Sequence, residues 1–242
     1  MLSFLLWLPV IGASIIGLMP GKAESGQLRQ ITTVFAVVTF VWTIWLLTQF
    51  DLTHAGWQFA EYLPWIKPIG LSYSLAVDGL SLPLLVLNAL LTIIAIYSIG
   101  ENIERPRLYY ALLLLINAGI TGALVAQNLL LFVIFYEIEL IPFYLMIAIW
   151  RREKRNYAAT KFLLYTAVSG LLVLAAFLGI GFLNEVISFD YDTISTQGLS
   201  LTTQLVLLSV LLVGFGIKVP LVPLHTWLPD AYTEASPAVT IL

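Results

Sequence analysis

The chain has 242 residues, of which 60% are hydrophobic and only 10% are charged, and its mean hydropathy is +0.96. This composition is typical of a protein whose outer surface is apolar as well as its interior, so we expect an integral membrane protein. The formal net charge of −3 gives no indication of binding to nucleic acid or to an acidic soluble partner, and the lack of cysteine excludes disulfides, thiolate metal sites and cysteine-ligated iron–sulfur clusters in this chain.

Apolar segments long enough to cross a lipid bilayer follow one another along the chain. A membrane-spanning helix needs about 20 mainly apolar residues. Six clear segments have about this length, and a seventh begins near Leu201; the six cover residues 2–20, 30–50, 80–99, 108–126, 128–150 and 161–183. We number them segments 1 to 7. They predict an all-α polytopic membrane protein with about seven transmembrane helices and the start of an eighth.

The basic residues predict how these segments are oriented, because Lys and Arg are retained on the cytoplasmic side in short loops. The loops after segments 1, 3 and 5 contain most of them: Lys22, Arg29, Arg105, Arg107, Arg151, Arg152, Lys154 and Arg155. The opposite loops contain only Lys67. We therefore expect the amino terminus to face away from the cytoplasm. Lys161, just inside segment 6, is interpreted first as a side chain that extends to the cytoplasmic interface, with a role in proton transfer as the alternative.

Residues 51–78 form a longer connection between segments 2 and 3. Within it, Leu71, Tyr73, Leu75 and Val77 alternate with small or polar residues. A period of two is typical of a strand. The pattern therefore predicts a small external β-hairpin.

At the end of this connection, Asp78 and Ser81 stand at the start of segment 3. We interpret them as capping groups for the backbone N–H groups that a helix start leaves unpaired. A functional role for Asp78 at the external face is the alternative.

The strongest functional candidates are ionisable residues inside apolar segments. Glu137 in segment 5 lies nine residues from Asn128, about 14 Å into a hydrocarbon core about 30 Å thick, and hence near the bilayer centre. Inserting a charge at that depth costs roughly 3 kcal/mol, so the residue indicates proton or ion movement. Glu139 lies about 200° further around the helix, so we expect the two carboxylates to face different sides. Pro142 predicts a bend or opening within one turn of both acids.

Segment 7 combines a buried charge with a broken helix. Residues 201–232 are too many for one straight crossing, and glycine and proline interrupt them at Gly214, Gly216, Pro220, Pro223 and Pro229. The prolines at 220 and 223 are predicted to leave the carbonyls of Gly216 and Val219 without partners within the helix. Such backbone is tolerated at membrane depth only where it is buried in protein or lines a water-filled cavity. Lys218 lies at this interruption, and His225 and Asp230 continue a polar track towards the cytoplasmic side. Such a pattern is typical of a discontinuous helix at an ion site.

Four stretches of the chain resemble a known family: YSLAVDGLSLPL, QNLLLFVIFYEIELIPFYLMIAIW, YAATKFLLYTAVSG and GIKVPLVPLHTWLPDAYTEASPAV. They closely resemble the antiporter-like subunit 4 of proton-pumping complex I in its cyanobacterial and chloroplast form, and the resemblance covers essentially the whole chain. In that family the glutamate of the fifth helix and the lysine of the broken seventh helix form the central proton-channel pair. The matching positions here are Glu137 and Lys218, and the matching histidine is His225.

The resemblance implies a fold of fourteen helices that contains two five-helix inverted repeats. Residues 1–107 would form the first three helices with the external hairpin, and residues 108–242 a truncated first repeat. Ser236 and Pro237 favour the start of another helix, yet the sequence stops at Leu242. We therefore expect the chain to be a fragment with one half-channel.

The function implied by the resemblance is non-redox proton translocation in an NAD(P)H- or ferredoxin-plastoquinone oxidoreductase of a cyanobacterial thylakoid membrane, with the amino terminus on the lumenal side. An ion pair between Glu137 and Lys218 would open and close to move the proton, and His225 would relay it from the cytoplasmic side. Glu139 and Lys161 are further candidates. We expect no cofactor or metal in this chain, whereas flavin or ferredoxin, iron–sulfur clusters and plastoquinone would be held by partner subunits.

Several alternatives stay open. The chain could belong to a multi-subunit sodium or potassium/proton antiporter, or could dock an accessory protein in a carbon dioxide uptake variant of complex I. Glu137 and Lys218 could be a purely structural pair, although such pairs rarely offset their desolvation. Glu139 could instead face a neighbouring subunit or a backbone donor. We expect a charge-neutral replacement of Glu139 to reduce electron transfer and proton uptake less than a charge-neutral replacement of Glu137 does.

Overall fold

The computed structural model describes residues 1–19, 24–54, 56–98, 100, 103–150, 155–183 and 188–242. Within these ranges the protein is mostly helical. The helices are α1 Leu2–Leu18, α2 Ser25–Gln49, α3 Ser81–Tyr97, α4 Pro106–Val125, α5 Leu129–Ile138, α6 Leu140–Ile149, α7 Arg155–Leu183, α8 Leu201–Lys218, α9 Trp227–Glu234 and α10 Pro237–Ile241. The strands are β1 Gln58–Ile66 and β2 Leu71–Val77. Lys22, Arg151, Arg152 and Lys154, which contributed to the predicted orientation, lie outside the described residues.

Five stretches of the described chain are long and apolar enough to cross a membrane: α2, α4, α5 together with α6, α7 and α8. The apolar helices α1 and α3 are shorter, at 17 residues each. The prediction of a helical integral membrane protein is confirmed. Two helices begin earlier than predicted, α2 at Ser25 rather than at residue 30 and α7 at Arg155 rather than at residue 161. Polar residues can form the first turns of a helix whose later turns are apolar.

Helix α4 is the most buried of these crossings and contacts α1, α2, α3, α5 and α6. Two glycines on α4 allow α5 and α6 to approach closely. A methyl group at Gly122 would lie 2.3 Å from the Phe135 ring, and one at Gly119 would lie 2.9 Å from Cβ of Glu139. Small residues at helix interfaces permit such approach in membranes. Gly119 and Gly122 therefore allow the end of α5, with Glu139 directly after it, to pack closely against the central helix α4.

The region with alternating apolar residues contains two paired strands. β1 pairs antiparallel with β2, and β2 packs against the start of α5. Asn128 fixes this arrangement, because its Oδ1 accepts hydrogen bonds from the N–H groups of Leu130 and Leu131. Its Nδ2 donates to the Gly70 carbonyl at 3.1 Å and to Asp190 Oδ1 at 2.9 Å. One side chain therefore caps α5 and joins it to the strands and to the connection between α7 and α8.

The predicted capping role of Asp78 and Ser81 is confirmed. Asp78 Oδ1 accepts from the Ser81 N–H at 2.7 Å and from the Leu80 N–H at 3.1 Å. Ser81 Oγ in turn accepts from the Asp78 N–H at 2.9 Å. These donors, the Ser81 N–H first among them, favour the ionised carboxylate and hold the pKa of Asp78 below its usual value.

We predict that Asp78→Ala lowers the free energy of unfolding by about 1 kcal/mol, because two N–H groups at the start of α3 lose their acceptor. Since the folded-state pKa is depressed, this contribution is present above the pKa of the unfolded state, about 3.9, and is lost as the pH falls through the folded-state value. Thermal unfolding of the detergent-solubilised protein between pH 3 and 7 measures both effects. Asp78→Asn, which keeps an acceptor oxygen, is the matched control. An unchanged melting temperature for Asp78→Ala at pH 7 would contradict the capping role.

Candidate functional site

The fifth predicted segment is interrupted at Glu139. α5 ends at Ile138 and α6 begins at Leu140, so Glu139 lies between two helices. Pro142 has no N–H group and cannot donate to the carbonyl of Ile138, which explains why the helix opens here. The predicted opening within one turn of both acids is confirmed.

The seventh segment is interrupted directly after Lys218, where α8 ends. Pro220 cannot continue the helix, and the Leu221 N–H reaches back to the carbonyl of Gly216 at 2.8 Å. The Gly216 carbonyl therefore has its partner outside α8, in agreement with the prediction that it lacks one within the helix. The Ile217 carbonyl accepts from Nε1 of Trp227, the first residue of α9, at 2.7 Å. Protein groups thus satisfy these two backbone carbonyls of the break, as a low-dielectric environment requires.

These two interruptions face each other and bring Lys218 to the acidic turn. Lys218 Nζ lies 2.8 Å from Glu139 Oε1 and donates to the main-chain carbonyl of Tyr136, also at 2.8 Å. The same ammonium lies 3.3 Å from the centroid of the Tyr136 ring. Three interactions from one short stretch of chain therefore hold the charge.

The ion pair differs from the one that the sequence predicted. Lys218 pairs with Glu139 rather than with Glu137. The physical reason is rotational: Tyr136 and Glu139 are three residues apart and share the side of the helix that meets Lys218, whereas Glu137 points towards Gly170 of α7. The expectation that the two carboxylates face different sides is confirmed.

Glu137 faces α7, where Gly170 leaves room for it. A methyl group at Gly170 would lie only 1.9 Å from Glu137 Oε1. That oxygen is buried and has no hydrogen-bond partner among the residues that the structure describes. Glu137 is therefore an acidic group next to the ion pair whose hydrogen-bonding capacity is partly unused.

The ion pair lines a cavity of about 370 Å³ between α4, α6, α7 and α9. The side chain of Glu139 is buried, with the residue 8% exposed. Apart from Glu139, Lys218 and Thr166, the wall is largely apolar and includes Phe143, Phe162 and Trp227. A charge pair in such surroundings interacts more strongly than in water, but its desolvation offsets much of that gain.

The two remaining predicted site residues lie outside this cavity. His225 is in the connection between α8 and α9, and its Nδ1 is buried without a hydrogen-bond partner. Lys161 Nζ donates to Asp230 Oδ2 at 2.7 Å and so joins α7 to α9. The interpretation of Lys161 as a side chain that only extends to the interface did not include this carboxylate partner. Tyr165 strengthens the same junction, because its hydroxyl lies 2.9 Å from Thr226 Oγ1.

Sequence reasoning missed Tyr136, although it supplies a carbonyl and a ring face to Lys218. The only sequence cue was its spacing, one residue before Glu137 and three before Glu139. Within the described part of the chain, no three or more His, Asp or Glu side chains are grouped so that they could hold a metal ion. The chemistry that the site offers is the binding and exchange of protons at one amine and two carboxylates.

Comparison with known proteins shows which proteins this chain resembles. Residues 126–242 match the family model described as NADH:quinone oxidoreductase/Mrp antiporter, TM. Over its full length the chain is 39% identical to the NAD(P)H-quinone oxidoreductase chain 4-2 of Synechocystis sp., and it covers 43% of that protein. It is also 39% identical, over its full length, to chain 4 1 of Thermosynechococcus vestitus, of which it covers 46%. The chain thus spans less than half the length of these curated relatives.

Solved structures share the fold. Respiratory complex I from Thermus thermophilus with bound NADH contains a chain that superimposes with a TM-score of 0.86 at 28% identity, over 99% of this chain and 49% of that one. The Mrp complex from Dietzia sp. gives a TM-score of 0.80 at 17% identity, over 99% of this chain and 26% of that one, a similarity of fold alone. Residues 126–242 therefore resemble the transmembrane family shared by NADH:quinone oxidoreductases and Mrp antiporters, and the chain as a whole is similar to the amino-terminal part of a cyanobacterial NAD(P)H-quinone oxidoreductase chain 4.

Proposed function

We propose that this chain provides part of a proton path in the membrane arm of an NAD(P)H- or ferredoxin-plastoquinone oxidoreductase, while partner subunits carry the redox chemistry and its cofactors. The observation that carries the proposal is the ion pair between the partly buried Lys218 and the buried Glu139 at facing interruptions of two membrane helices. Similarity to chain 4 of NAD(P)H-quinone oxidoreductases supports the reaction and the partners. The cyanobacterial relatives support a thylakoid membrane.

The proposed chemistry is proton exchange at Lys218, controlled by its distance from a carboxylate. Opposite charges about 4 Å apart interact by roughly 4 kcal/mol at an effective dielectric of about 20. A movement that separates the pair therefore changes how tightly the amine holds its proton. The break after Lys218 gives α8 and α9 a place at which they can move relative to each other. Redox chemistry elsewhere in the complex would drive that movement.

We propose that protons approach from the side of α9. The pair of Lys161 and Asp230 joins α7 to α9, and His225 lies in the connection that leads into α9. Arg155 begins α7 on the same side, which supports the assignment of this side to the cytoplasm.

The membrane topology follows from this assignment. The seven proposed crossings are α1, α2, α3, α4, α5 with α6, α7, and α8 with α9, so the amino terminus and the paired strands would be lumenal. Residues 1–107 would form the amino-terminal part with the paired strands, and residues 108–242 the truncated first repeat.

A second candidate function is cation/proton antiport. The family model covers Mrp antiporters as well as quinone oxidoreductases, and the Dietzia Mrp complex shares the fold. Purification with redox subunits, and proton movement that does not require sodium or potassium, would favour the oxidoreductase. Docking of a carbon dioxide uptake accessory protein stays a prediction from the resemblance.

We predict that Lys218→Met and Glu137→Gln each strongly reduce proton translocation, because the first removes the exchanging amine and the second removes the unpaired acid beside it. Proton uptake and quinone reduction would be measured together in membrane vesicles that contain the intact complex. Lys67→Met, at an exposed lysine in the turn between β1 and β2, is the matched control. Wild-type proton uptake in both site variants would reject the proposed function.

We predict that Glu139→Gln destabilises the protein more than Glu137→Gln does. Removal of one partner from a buried ion pair leaves an uncompensated charge and costs about 3 kcal/mol, whereas Glu137→Gln leaves the pair intact. The sequence-based expectation that replacing Glu139 does less harm than replacing Glu137 concerns electron transfer and proton uptake, and it stays a prediction. Thermal unfolding of both variants measures the difference in stability, and equal melting temperatures would show that the pair with Lys218 has no net effect on stability.

For the cytoplasmic side, we predict that Lys161→Asp and Asp230→Lys each slow proton uptake, because each places like charges across the junction of α7 and α9. The double variant restores opposite charges and is expected to recover most of the rate. A double-mutant cycle on proton uptake measures the coupling. Additive losses would exclude a functional interaction between the two residues.

A further inference from the structure

Tyr136 supplies most of the contacts that hold the Lys218 ammonium. A lysine ammonium has three N–H donors. Glu139 accepts one of them, while Tyr136 offers its carbonyl oxygen at 2.8 Å and its ring face, with the centroid 3.3 Å away. A cation over an aromatic face is attracted by the ring quadrupole, and more strongly where water is excluded. Two of the three contacts are therefore with neutral groups, and these contacts persist whatever the protonation state of the carboxylate.

The Tyr136 ring is held in place by three helices. It stacks on Phe132 of α5, with ring centroids 5.3 Å apart, and meets the edge of Phe215 of α8 at 5.9 Å. Its hydroxyl lies 3.1 Å from Ser169 Oγ of α7, which in turn donates to the Gly214 carbonyl at 2.7 Å. Tyr136 is only 8% exposed. Such a fixed ring provides a defined position for a cation rather than an incidental contact.

The ring also lies between the two acids on the surface of the helix. At about 100° per residue, Tyr136 is about 60° from Glu139 in one direction and about 100° from Glu137 in the other. Glu137 has a buried oxygen without a hydrogen-bond partner, and Lys218 occupies the Glu139 side. The face of Tyr136 therefore lies on the shorter way around the helix from Glu139 to Glu137.

We propose that the ring face and carbonyl of Tyr136 form a neutral cation seat, which holds the Lys218 ammonium while neither carboxylate is bound to it and guides it between Glu139 and Glu137. This inference rests on the proposed function, in which Lys218 exchanges protons. Tyr136 is a positioning residue in this scheme, since it acts through Lys218. The aromatic ring supplies the property that matters, and the hydroxyl group only orients it.

The test compares four variants in the intact complex: Tyr136→Phe, Tyr136→Leu, Tyr136→Met and Phe132→Leu. Tyr136→Phe keeps the ring face and is expected to retain proton translocation within about twofold of wild type, whereas Tyr136→Leu is expected to lose about tenfold, the size of a desolvated cation–π contact. Tyr136→Met fills the space with a flexible apolar side chain that has no ring, and it replaces Tyr136→Leu in the test if the complex with Tyr136→Leu does not assemble. Phe132→Leu removes the ring stacked on Tyr136 but leaves Lys218 its contacts, so about twofold or less is expected.

A second measurement does not depend on activity. In a high-resolution structure of the complex with Tyr136→Leu or Tyr136→Met, Lys218 Nζ is expected to leave its present position, while in Tyr136→Phe it stays within 4 Å of Glu139 Oε1. Equal losses in Phe132→Leu and Tyr136→Leu would show that packing alone is responsible and would overturn the inference. So would near-wild-type translocation in Tyr136→Leu with Lys218 unmoved.

The inclusion of Lys218→Met in the same series separates the two proposals. If Lys218→Met stops proton translocation and Tyr136→Leu does not slow it, the cation seat is rejected and the proposed function stands. If Lys218→Met translocates protons at the wild-type rate, the proposed function itself is rejected.

Discussion

One ammonium group in a low-dielectric interior constrains the centre of this protein. Lys218 lies partly buried at the end of an apolar membrane helix, where acceptors from the protein stabilise a cation. It finds a carboxylate, a carbonyl and an aromatic face within one stretch of four residues, Tyr136 to Glu139. These acceptors belong to an interrupted helix, since a continuous helix would use its carbonyls internally and would place only one row of side chains opposite α8.

The two interruptions are therefore complementary rather than independent. Pro142 opens the chain between α5 and α6, and Pro220 ends α8 directly after the lysine. Proline at these positions exposes polar backbone that lipid could not satisfy. At the end of α8, the Leu221 N–H and the Trp227 indole occupy two of the carbonyls. Two specific donors thus satisfy the break in this structure, and one of them comes from Trp227, the first residue of α9.

Glycine decides where the two carboxylates can lie. Gly119 on α4 allows the backbone of Glu139 to come close to the centre of the bundle, and Gly170 on α7 leaves the space that Glu137 fills. A side chain at either position would push an acid away from its present helix. The two acids consequently face two different helices, with Tyr136 between them. Glu139 is paired with Lys218, whereas one oxygen of Glu137 has no hydrogen-bond partner among the described residues.

The sequence by itself determined the features that depend on local chemistry. Apolar length predicted the membrane crossings, residue type predicted the cap at Asp78, and proline predicted the openings near Glu139 and Lys218. The helical period also showed that Glu137 and Glu139 point apart. It could not show which of them faces α8, because that depends on how α5, α7 and α8 are rotated against one another when they pack, and no local pattern encodes that rotation. For the same reason the partner of Lys161 and the role of Tyr136 were decided only by the tertiary structure.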